Sequence, residues 1–413
     1  MNERTLPPRG FGLFASLRFR DFRLLWVGLL ISNLGTWMQF TAMGYFVAKL
    51  ASTPAAAALD LGILGACRAV PVLLCSPIAG VVADTLPRRA TLFLANLAMA
   101  LVALALAVLV QFGMLNLWWL VWLSVINSAA ASFDSPARQS WVPLLVEPPY
   151  VGNAIGLNSI AFNAPAVIGP ALAGVLIAGA GIAWSFYVNA VATLAVVVAV
   201  VLMLPAAPSI RRRDSLFRSM REGLSFLAGH GLLRYIMLAF VVTAVLVRPY
   251  STLLPAYIVN TLHGNAAALG VAVAAIGTGG FGGAIITAIV GQRERRGTLW
   301  LASGLALSLG VALLGAVHSW IFSLPVLFVI GVATITFLGM SNILIQTLSP
   351  SDVRGRAISV YSMVALGVVP GGALAVGAFS ASVGLLAGFA VAGTVCAALM
   401  LWLWIAVPIL RTV

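Results

Sequence analysis

Long apolar runs separated by short polar segments fill most of the chain, and this pattern predicts a bundle of membrane-spanning helices. A helix crosses the hydrocarbon core of a bilayer with about 20 apolar residues. Twelve runs of suitable length can be placed on the sequence. We predict spans at 22–48, 61–83, 91–112, 115–133, 152–178, 182–204, 232–260, 267–291, 299–317, 321–347, 357–380 and 384–407.

A polar, arginine-rich stretch between the sixth and seventh predicted spans divides the chain. It begins with Pro205 and Pro208, and such a segment is typical of a linker between domains. The predicted fold class is an all-α membrane protein with twelve transmembrane helices in two six-helix bundles. The predicted parts are an N-terminal tail at 1–21, a first bundle at 22–204, a linker at 205–231, a second bundle at 232–407 and a C-terminal tail at 408–413.

Two short repeats, each offset by about half the chain, indicate that the bundles are related. The sequence RRATL at 88–92 recurs as RRGTL at 295–299, and GNAI at 152–155 recurs as GRAI at 355–358. Because six helices return the chain to its starting side, such a duplication predicts two pseudo-symmetric bundles in parallel orientation.

Composition and charge then limit the class and the location of the protein. The chain has 413 residues, of which 62% are hydrophobic and 8% are charged, whereas an ordinary soluble domain is about 25% charged. These values exclude a soluble enzyme. The net charge of +13 comes from arginines in predicted loops on one side, and Lys49 alone lies on the other side. Basic loops stay in the cytoplasm. We therefore expect both termini, the tail at 1–21 and the linker to lie on the cytoplasmic side.

The same pattern predicts the surroundings and partners of the chain. Arginine replaces lysine at all but one basic position, which is typical of a bacterium with GC-rich genes. We therefore expect a monomer in the bacterial inner membrane, in contact with membrane lipid and a small-molecule substrate. The basic clusters act as topology signals, so no nucleic acid partner is expected.

Residues typical of catalysis or metal binding are scattered. Cys67, Cys75 and Cys396 lie inside apolar runs, and their spacing matches neither a zinc site nor a disulfide framework. The three histidines stand singly near predicted loop ends, and the sequence contains no H-E-x-x-H or G-x-S-x-G pattern. We therefore predict no catalytic residue, metal or cofactor, and no enzyme activity; an intramembrane enzyme is a remote alternative.

Several motifs carry a resemblance to a known family. The segment 80–89, GVVADTLPRR, resembles the G-x-x-x-D-x-x-x-R-R/K loop of the major facilitator superfamily. The segments LGTWMQ at 34–39, SPARQ at 135–139 and IGPALAG at 168–174 resemble the branch that contains the enterobactin exporter and macrolide-efflux proteins. The resemblance implies a secondary transporter in which two six-helix bundles give alternating access to a central site.

The resemblance also assigns a role to the 80–89 loop. It implies that Gly80, Asp84, Arg88 and Arg89 form a cytoplasmic gate, with Asp84 as its latch. Asp84 could pair with Arg88 or face the positive end of a helix. In the second half of the chain, Gly291 stands at the position that corresponds to Asp84. The resemblance therefore implies a single latch, in the first half. An anchor that sets topology by its positive charge is the alternative.

The fifth predicted span combines glycine with proline. Gly156, Pro165, Gly169, Pro170 and Gly174 are similar to the glycine-proline motif of antiporters in the superfamily. Small residues permit close helix approach, and proline permits bending. The similarity favours export over uptake.

Two arginines lie inside predicted spans, where a charge costs about 2.5–3.5 kcal/mol on the insertion scale. Arg68 is about 12 Å from Asp60, near the outer end of its span, and its side chain could extend to the surface. Arg248 is about 24 Å from position 232 and about 18 Å from position 260. Arg248 therefore predicts a polar cavity or a buried partner.

Polar residues in the first, fourth, seventh and tenth spans complete the predicted substrate cavity, since the resemblance implies that these helices line the path. Helix-to-helix packing is the alternative role for such side chains. The predicted cavity residues are Arg248, Arg68, Asn33, Trp37, Gln39, Asn127, Tyr250, Asn342 and Gln346.

Proton coupling is implied by the family resemblance alone. No acidic residue at the middle of a predicted span supports it. Asp134, at the inner end of the fourth span, is the candidate proton carrier. A surface ion pair with Arg138 at the i, i+4 spacing is the alternative.

The predicted function is export of a small organic molecule by proton antiport, and a siderophore, an acidic metabolite or an antibiotic would fit. A cavity with positive charge favours an anionic or carbonyl-rich solute. Uptake of an anionic solute by symport or exchange is the alternative.

Overall fold

The computed structural model describes residues 12, 14–85, 87–203, 225–227, 229, 231–291, 296–350 and 353–413. Across these residues the regular structure is helical, with no β-strand. The predicted N-terminal tail up to residue 11 and nearly all of the predicted linker lie outside the described residues.

A helix occupies each predicted span, which confirms the all-α class. The helices are α1 (Arg20–Leu50), α2 (Pro54–Thr85), α3 (Arg88–Gln111), α4 (Leu117–Trp141), α5 (Val151–Ala180), α6 (Ile182–Leu202), α7 (Gly231–Thr261), α8 (Ala266–Val290), α9 (Arg296–Leu314), α10 (Trp320–Leu348), α11 (Arg354–Val383) and α12 (Leu385–Ala406). Several helices exceed the predicted bounds, and α2 begins at Pro54 rather than at 61.

The lengths and apolar character of these helices define a multi-pass membrane protein. Among the described residues, 10 helices are both long and apolar enough to cross a bilayer. The other two, α1 with 31 residues and α4 with 25, exceed the required length but carry more polar side chains.

The chain forms two compact units. The first unit contains Met1–Ala42 and Val70–Arg211, and the second contains Met43–Ala69 and Arg212–Val413. Residues 43–69, which end α1 and begin α2, thus group with α7–α12. The predicted bundle boundaries stay a prediction, because α1 and α2 each contribute to both units.

Large side chains and small ones share the interior of the first unit. Phe22, Leu92 and Trp141 belong to one buried cluster built by α1, α3, α4, α5 and α6. A Cβ on Gly35 would lie 2.8 Å from the Cβ of Ala192, so α1 and α6 approach closely only because glycine is present.

The second unit combines an aromatic stack with a glycine-lined helix pair. The rings of Trp300 and Phe337 stack with their centroids 5.6 Å apart. Gly279 and Gly283 of α8 face carbonyl oxygens of α10, and a Cβ at either position would clash with them. This contact brings the α8 and α10 backbones together.

The RRATL and RRGTL repeats make similar contacts in their own halves. At the start of α3, the Nη2 of Arg89 donates to the carbonyl of Val201 at the end of α6, over 2.6 Å. At the start of α9, the N–H of Gly297 donates to the carbonyl of Val413 (2.7 Å), and the hydroxyl of Thr298 to that of Arg411 (2.9 Å). In the first half the start of the third helix is thus tied to the end of the sixth, and in the second half it is tied to the segment 408–413, which follows the sixth.

Candidate functional site

The helix that carries Arg248 is irregular on both sides of this residue. In α7, Gly231–Val242 is α-helical, Thr243–Val247 is π-helical, Tyr250–Ala256 is α-helical again and Tyr257–Thr261 is π-helical. The N–H of Arg248 donates to the carbonyl of Thr243 over 2.9 Å, and Pro249 has no N–H to continue the ladder. Local π-helical turns are frequent at functional sites.

The guanidinium of Arg248 contacts a backbone oxygen of the second unit. Its Nη1 donates to the carbonyl of Ala365 in α11 over 2.7 Å, and the side chain keeps part of its surface exposed. The sequences of α7 and α11 contain neither aspartate nor glutamate. The positive charge of Arg248 is therefore met by a carbonyl dipole on α11 and by no carboxylate of these two helices.

Tyrosine hydroxyls surround this arginine. Tyr250 is buried and hydrogen-bonds Thr334 of α10, while Tyr361 of α11 donates to the carbonyl of Leu338 over 2.9 Å. Both tyrosines are close enough to Arg248 to interact electrostatically with it. We call Arg248, Tyr250, Thr334 and Tyr361 the α7 cluster.

The structure places Arg68 in the second unit together with the α7 cluster. Arg68 lies on the first half of α2, among the residues that group with α7–α12, and is half-buried. The two arginines singled out from the sequence thus belong to one compact unit.

The polar residues of α1 contact neighbouring helices of the first unit. Asn33 donates from Nδ2 to the carbonyl of Ala161 in α5 over 3.0 Å. Trp37 lies against Gly169 of α5. Gln39 is buried and accepts from the Nδ2 of Asn189 in α6 over 2.7 Å. These contacts give all three side chains a role in packing α1, and their role in a cavity stays a prediction.

The remaining predicted cavity residues lie on α4 and α10. Asn127 is half-buried and makes no hydrogen bond to another described residue. The Nε2 of Gln346 donates to the Oδ1 of Asn342, four residues earlier in the last turns of α10. The two amides of α10 thus pair with each other, and the role of these three residues in a cavity stays a prediction.

Asp134 lies in a buried network of the first unit. Arg138 Nε is 3.3 Å from Asp134 Oδ2, and the two side chains are 3% and 14% exposed. The Nδ2 of Asn96 in α3 donates to Asp134 Oδ1 over 2.7 Å, and Arg138 Nη1 donates to Asn158 Oδ1 of α5 over 3.3 Å. The ion pair forms at the i, i+4 spacing of the alternative, but it lies in the interior of the first unit and not on the surface.

The predicted gate loop is described in part. Only the backbone of α2, which continues through Thr85, is described at Gly80 and Asp84. Arg88 Nε donates to the hydroxyl of Ser140 in α4 over 2.9 Å. Together with the bond from Arg89 to α6, this contact ties the start of α3 to two helices of the first unit.

The glycine-proline motif lies on a continuous helix. α5 extends across Pro165 and Pro170 without interruption. Gly169 is buried and touches α1, Gly174 is buried, and Gly156 faces open space. The close approach that the motif permits is thus a contact of α5 with α1 inside one unit.

Sequence reasoning missed four residues of these clusters: Asn96, Asn158, Phe162 and Tyr361. Phe162 lies under the Arg138 guanidinium, with 4.6 Å between the carbon Cζ and the ring centroid. Both asparagines stand out as polar residues within apolar runs. That signal could have marked them as candidates, but it could not show which charged residue they contact.

Comparison with known proteins identifies the class of protein. Residues 11–412 match the family described as transmembrane secretion effectors, within the major facilitator superfamily. The chain belongs to this family, so it is a membrane transporter of the major facilitator type and not an enzyme. It is similar to the uncharacterized MFS-type transporter YfiS of Bacillus subtilis (strain 168), with 29% identity over 382 residues and coverage of 84% of each chain.

Solved structures share the fold. A POT family transporter in complex with 5-aminolevulinic acid superimposes with a TM-score of 0.74 at 12% identity, covering 98% of this chain and 99% of the other. A D-xylose-proton symporter gives 0.71 at 13% identity, covering 95% and 98%. The nucleoside transporter NupG gives 0.71 at 11% identity, covering 92% and 98%. At these identities the likeness establishes the major facilitator fold alone.

Proposed function

We propose that the protein exports a small organic solute that carries negative charge, by alternating access and in exchange for protons. The observation that carries the proposal is the guanidinium of Arg248, held within a transmembrane helix by the Ala365 carbonyl. A charge in this position is costly, and charges retained inside membrane segments usually mark a substrate or ion pathway.

The α7 cluster supports the choice of solute. Arg248 offers a planar donor that fits carboxylate or phosphate, and Tyr250 and Tyr361 add hydroxyls beside it. Siderophores and acidic metabolites have such groups. A neutral antibiotic would have to bind through aromatic and amide groups alone, and a cationic drug would be repelled.

The direction of transport has two supports. The family is described as one of secretion effectors, and the segment from Gly156 to Gly174 is similar to the motif of antiporters. We propose that the protein lies in the bacterial inner membrane as a monomer, with both termini in the cytoplasm.

Asp134 is proposed to carry the proton. Arg138 contacts Asp134 of its own helix and Asn158 of α5, so one guanidinium links a carboxylate to a second helix. A shift of α5 that draws Arg138 towards Asn158 would weaken this ion pair and allow Asp134 to bind a proton.

The predicted gate loop would then move together with α4. Arg88 contacts Ser140, which follows Asp134 on α4. We propose that Gly80, Asp84, Arg88 and Arg89 form a cytoplasmic gate whose position depends on α4.

Transport by membrane vesicles of known orientation tests the proposal. Inside-out vesicles from cells that express the protein, with an acidic lumen and a metabolite extract added outside, should accumulate acidic solutes that mass spectrometry detects. A protonophore should abolish the accumulation. Accumulation in right-side-out vesicles alone would instead support uptake by symport or exchange.

A further inference from the structure

A cleft lies between the start of α3 and the end of α6 in the first unit. Its volume is about 280 Å³, and its lining is apolar apart from one arginine. We call it the α3–α6 cleft, and the residues that line it are Pro87, Arg89, Ala90, Phe93 and Val200. Pro87 and Ala90 are exposed, so the cleft opens on the surface of the chain.

Arg89 lines the cleft with most of its hydrogen-bond donors unused. A guanidinium has five N–H donors, and the Nη2 of Arg89 donates to the carbonyl of Val201 over 2.6 Å. Arg89 has no other partner among the residues that the structure describes. The neighbouring Arg88 extends instead to the hydroxyl of Ser140 in α4. Arg89 is therefore the lining residue that can bind an anion, and its planar group fits phosphate oxygens.

The charges around the cleft are positive. Neither α3 nor α6 contains an aspartate or a glutamate, and Arg88 and Arg89 begin α3. The linker at 205–231, which follows α6, has five arginines and two acidic residues. These two arginines repel a basic segment and attract an anionic group. The charges thus favour an anionic occupant of the cleft over the linker.

An apolar surface continues from the cleft along the helices. On α3, Leu94 and Leu101 follow Ala90 at spacings of four and seven residues, so the three share one face. Leu94, Leu101 and Val201 of α6 are each more than half exposed. From Arg89 to Leu101 the helix rises by about 18 Å, and half of a bilayer's hydrocarbon core is about 15 Å thick. The surface therefore has the length of an acyl chain in one leaflet.

The corresponding position in the second half of the chain is covered by protein. The RRATL and RRGTL repeats place Gly297 of α9 where α3 has Ala90. Leu410 is buried there, and a Cβ on Gly297 would clash with its carbonyl oxygen. The surface that is exposed at Ala90 is thus occupied at Gly297 by the segment 408–413.

We infer that the α3–α6 cleft binds an anionic phospholipid from the leaflet at this end of the helices. The lipid phosphate accepts hydrogen bonds from Arg89, and an acyl chain lies against Phe93 and the exposed face of α3. Basic pockets between membrane helices bind anionic headgroups in the same way. Lipid binding needs neither transport nor a moving gate, so the inference is independent of the proposed function.

Quenching by brominated lipid tests the site. In a variant whose three native cysteines are replaced, Leu94→Cys carries a bimane label beside the cleft and is reconstituted into phosphatidylethanolamine bilayers. Dibrominated phosphatidylglycerol should quench the label at lower mole fractions than dibrominated phosphatidylethanolamine does. Arg89→Gln should lower this preference for the anionic lipid about fivefold. Equal quenching by the two lipids while Arg89 is present would overturn the inference.

Arg296→Gln is the matched control, because Arg296 holds the position of Arg89 in the second repeat. It removes the same charge from the second unit, so the lipid preference at the label should not change. An equal loss of preference in both variants would contradict a local site. If Arg89→Gln does not fold, Ala90→Trp keeps the charge and fills the cleft, and it should also reduce the preference. An unchanged preference with Ala90→Trp would overturn the inference.

Two further outcomes separate the lipid from other occupants of the cleft. Glycerol phosphate, which has the phosphate without acyl chains, should not reverse the quenching by dibrominated phosphatidylglycerol. Reversal would show that a free phosphate is sufficient and would contradict a lipid site. Failure of both brominated lipids to quench the label would show that protein covers the cleft, which also contradicts the inference.

Discussion

Arg138 and Asp134 form an ion pair in the interior of the first unit, with 3.3 Å between Nε and Oδ2. Asn96 and Asn158 bond to the two partners from other helices. Such a pair differs from the exposed arginine contacts of the chain, because loss of one partner leaves a charge that is largely shielded from water.

Arg138→Gln should therefore destabilise the protein strongly. Removing one partner of a buried pair costs about 3–5 kcal/mol, so the purified protein should unfold at a clearly lower temperature. Arg20→Gln is the matched control, because Arg20 is 59% exposed and pairs with Asp21 at 3.6 Å. Equal melting temperatures for the two variants would show that the Arg138 pair contributes nothing.

Asp134→Asn should separate coupling from solute movement. Without an ionisable carboxylate the variant should lose proton-driven accumulation in vesicles, while exchange of labelled for unlabelled solute continues. Glu147→Gln changes the same kind of group in an exposed pair with Arg18 and should retain both activities. Full proton-driven accumulation by Asp134→Asn would exclude this residue as the carrier.

Asp84→Asn should slow the gate more than it weakens binding. A latch contributes to the change of state and makes no contact with the solute, so the maximal exchange rate should fall while the half-saturating concentration changes little. Measurement of exchange at several solute concentrations separates the two effects. An unchanged maximal exchange rate would indicate that the loop only sets the membrane topology.

Two neighbouring glycines of α8 should respond differently to alanine. A Cβ on Gly279 would clash with the carbonyl of Phe328 in α10, whereas one on Gly282 would lie 3.8 Å from a methyl group of Val332. Gly279→Ala should cost about 1–3 kcal/mol by overpacking, and Gly282→Ala should be close to neutral. Thermal unfolding of both variants measures the difference, and equal stabilities would contradict close packing at Gly279.

The helices could be predicted from the sequence because each requires only local information. An apolar run of sufficient length specifies a span, and the structure has a helix at each predicted run. Irregularity was harder to foresee: Pro249 and Pro255 indicate a disturbed α7, but the π-helical turns depend on the surrounding helices.

Contacts between helices could not be predicted in the same way. Gln39 and Asn33 share the polar character of cavity residues, yet both bond to a neighbouring helix of the first unit. The grouping of residues 43–69 with the second unit depends on where Gly62 and Gly65 meet other helices. No spacing along the chain indicates that Arg68 and Arg248 lie in one unit.

The vesicle experiment with Arg248→Ala tests the central claim most directly. Inside-out vesicles with the wild-type protein and with the variant, at equal protein content, receive the same metabolite extract and proton gradient, and mass spectrometry lists the solutes that accumulate. We expect acidic solutes to accumulate with the wild-type protein and not with Arg248→Ala. Equal accumulation of acidic solutes by both proteins, or accumulation of cationic solutes alone, would contradict the claim.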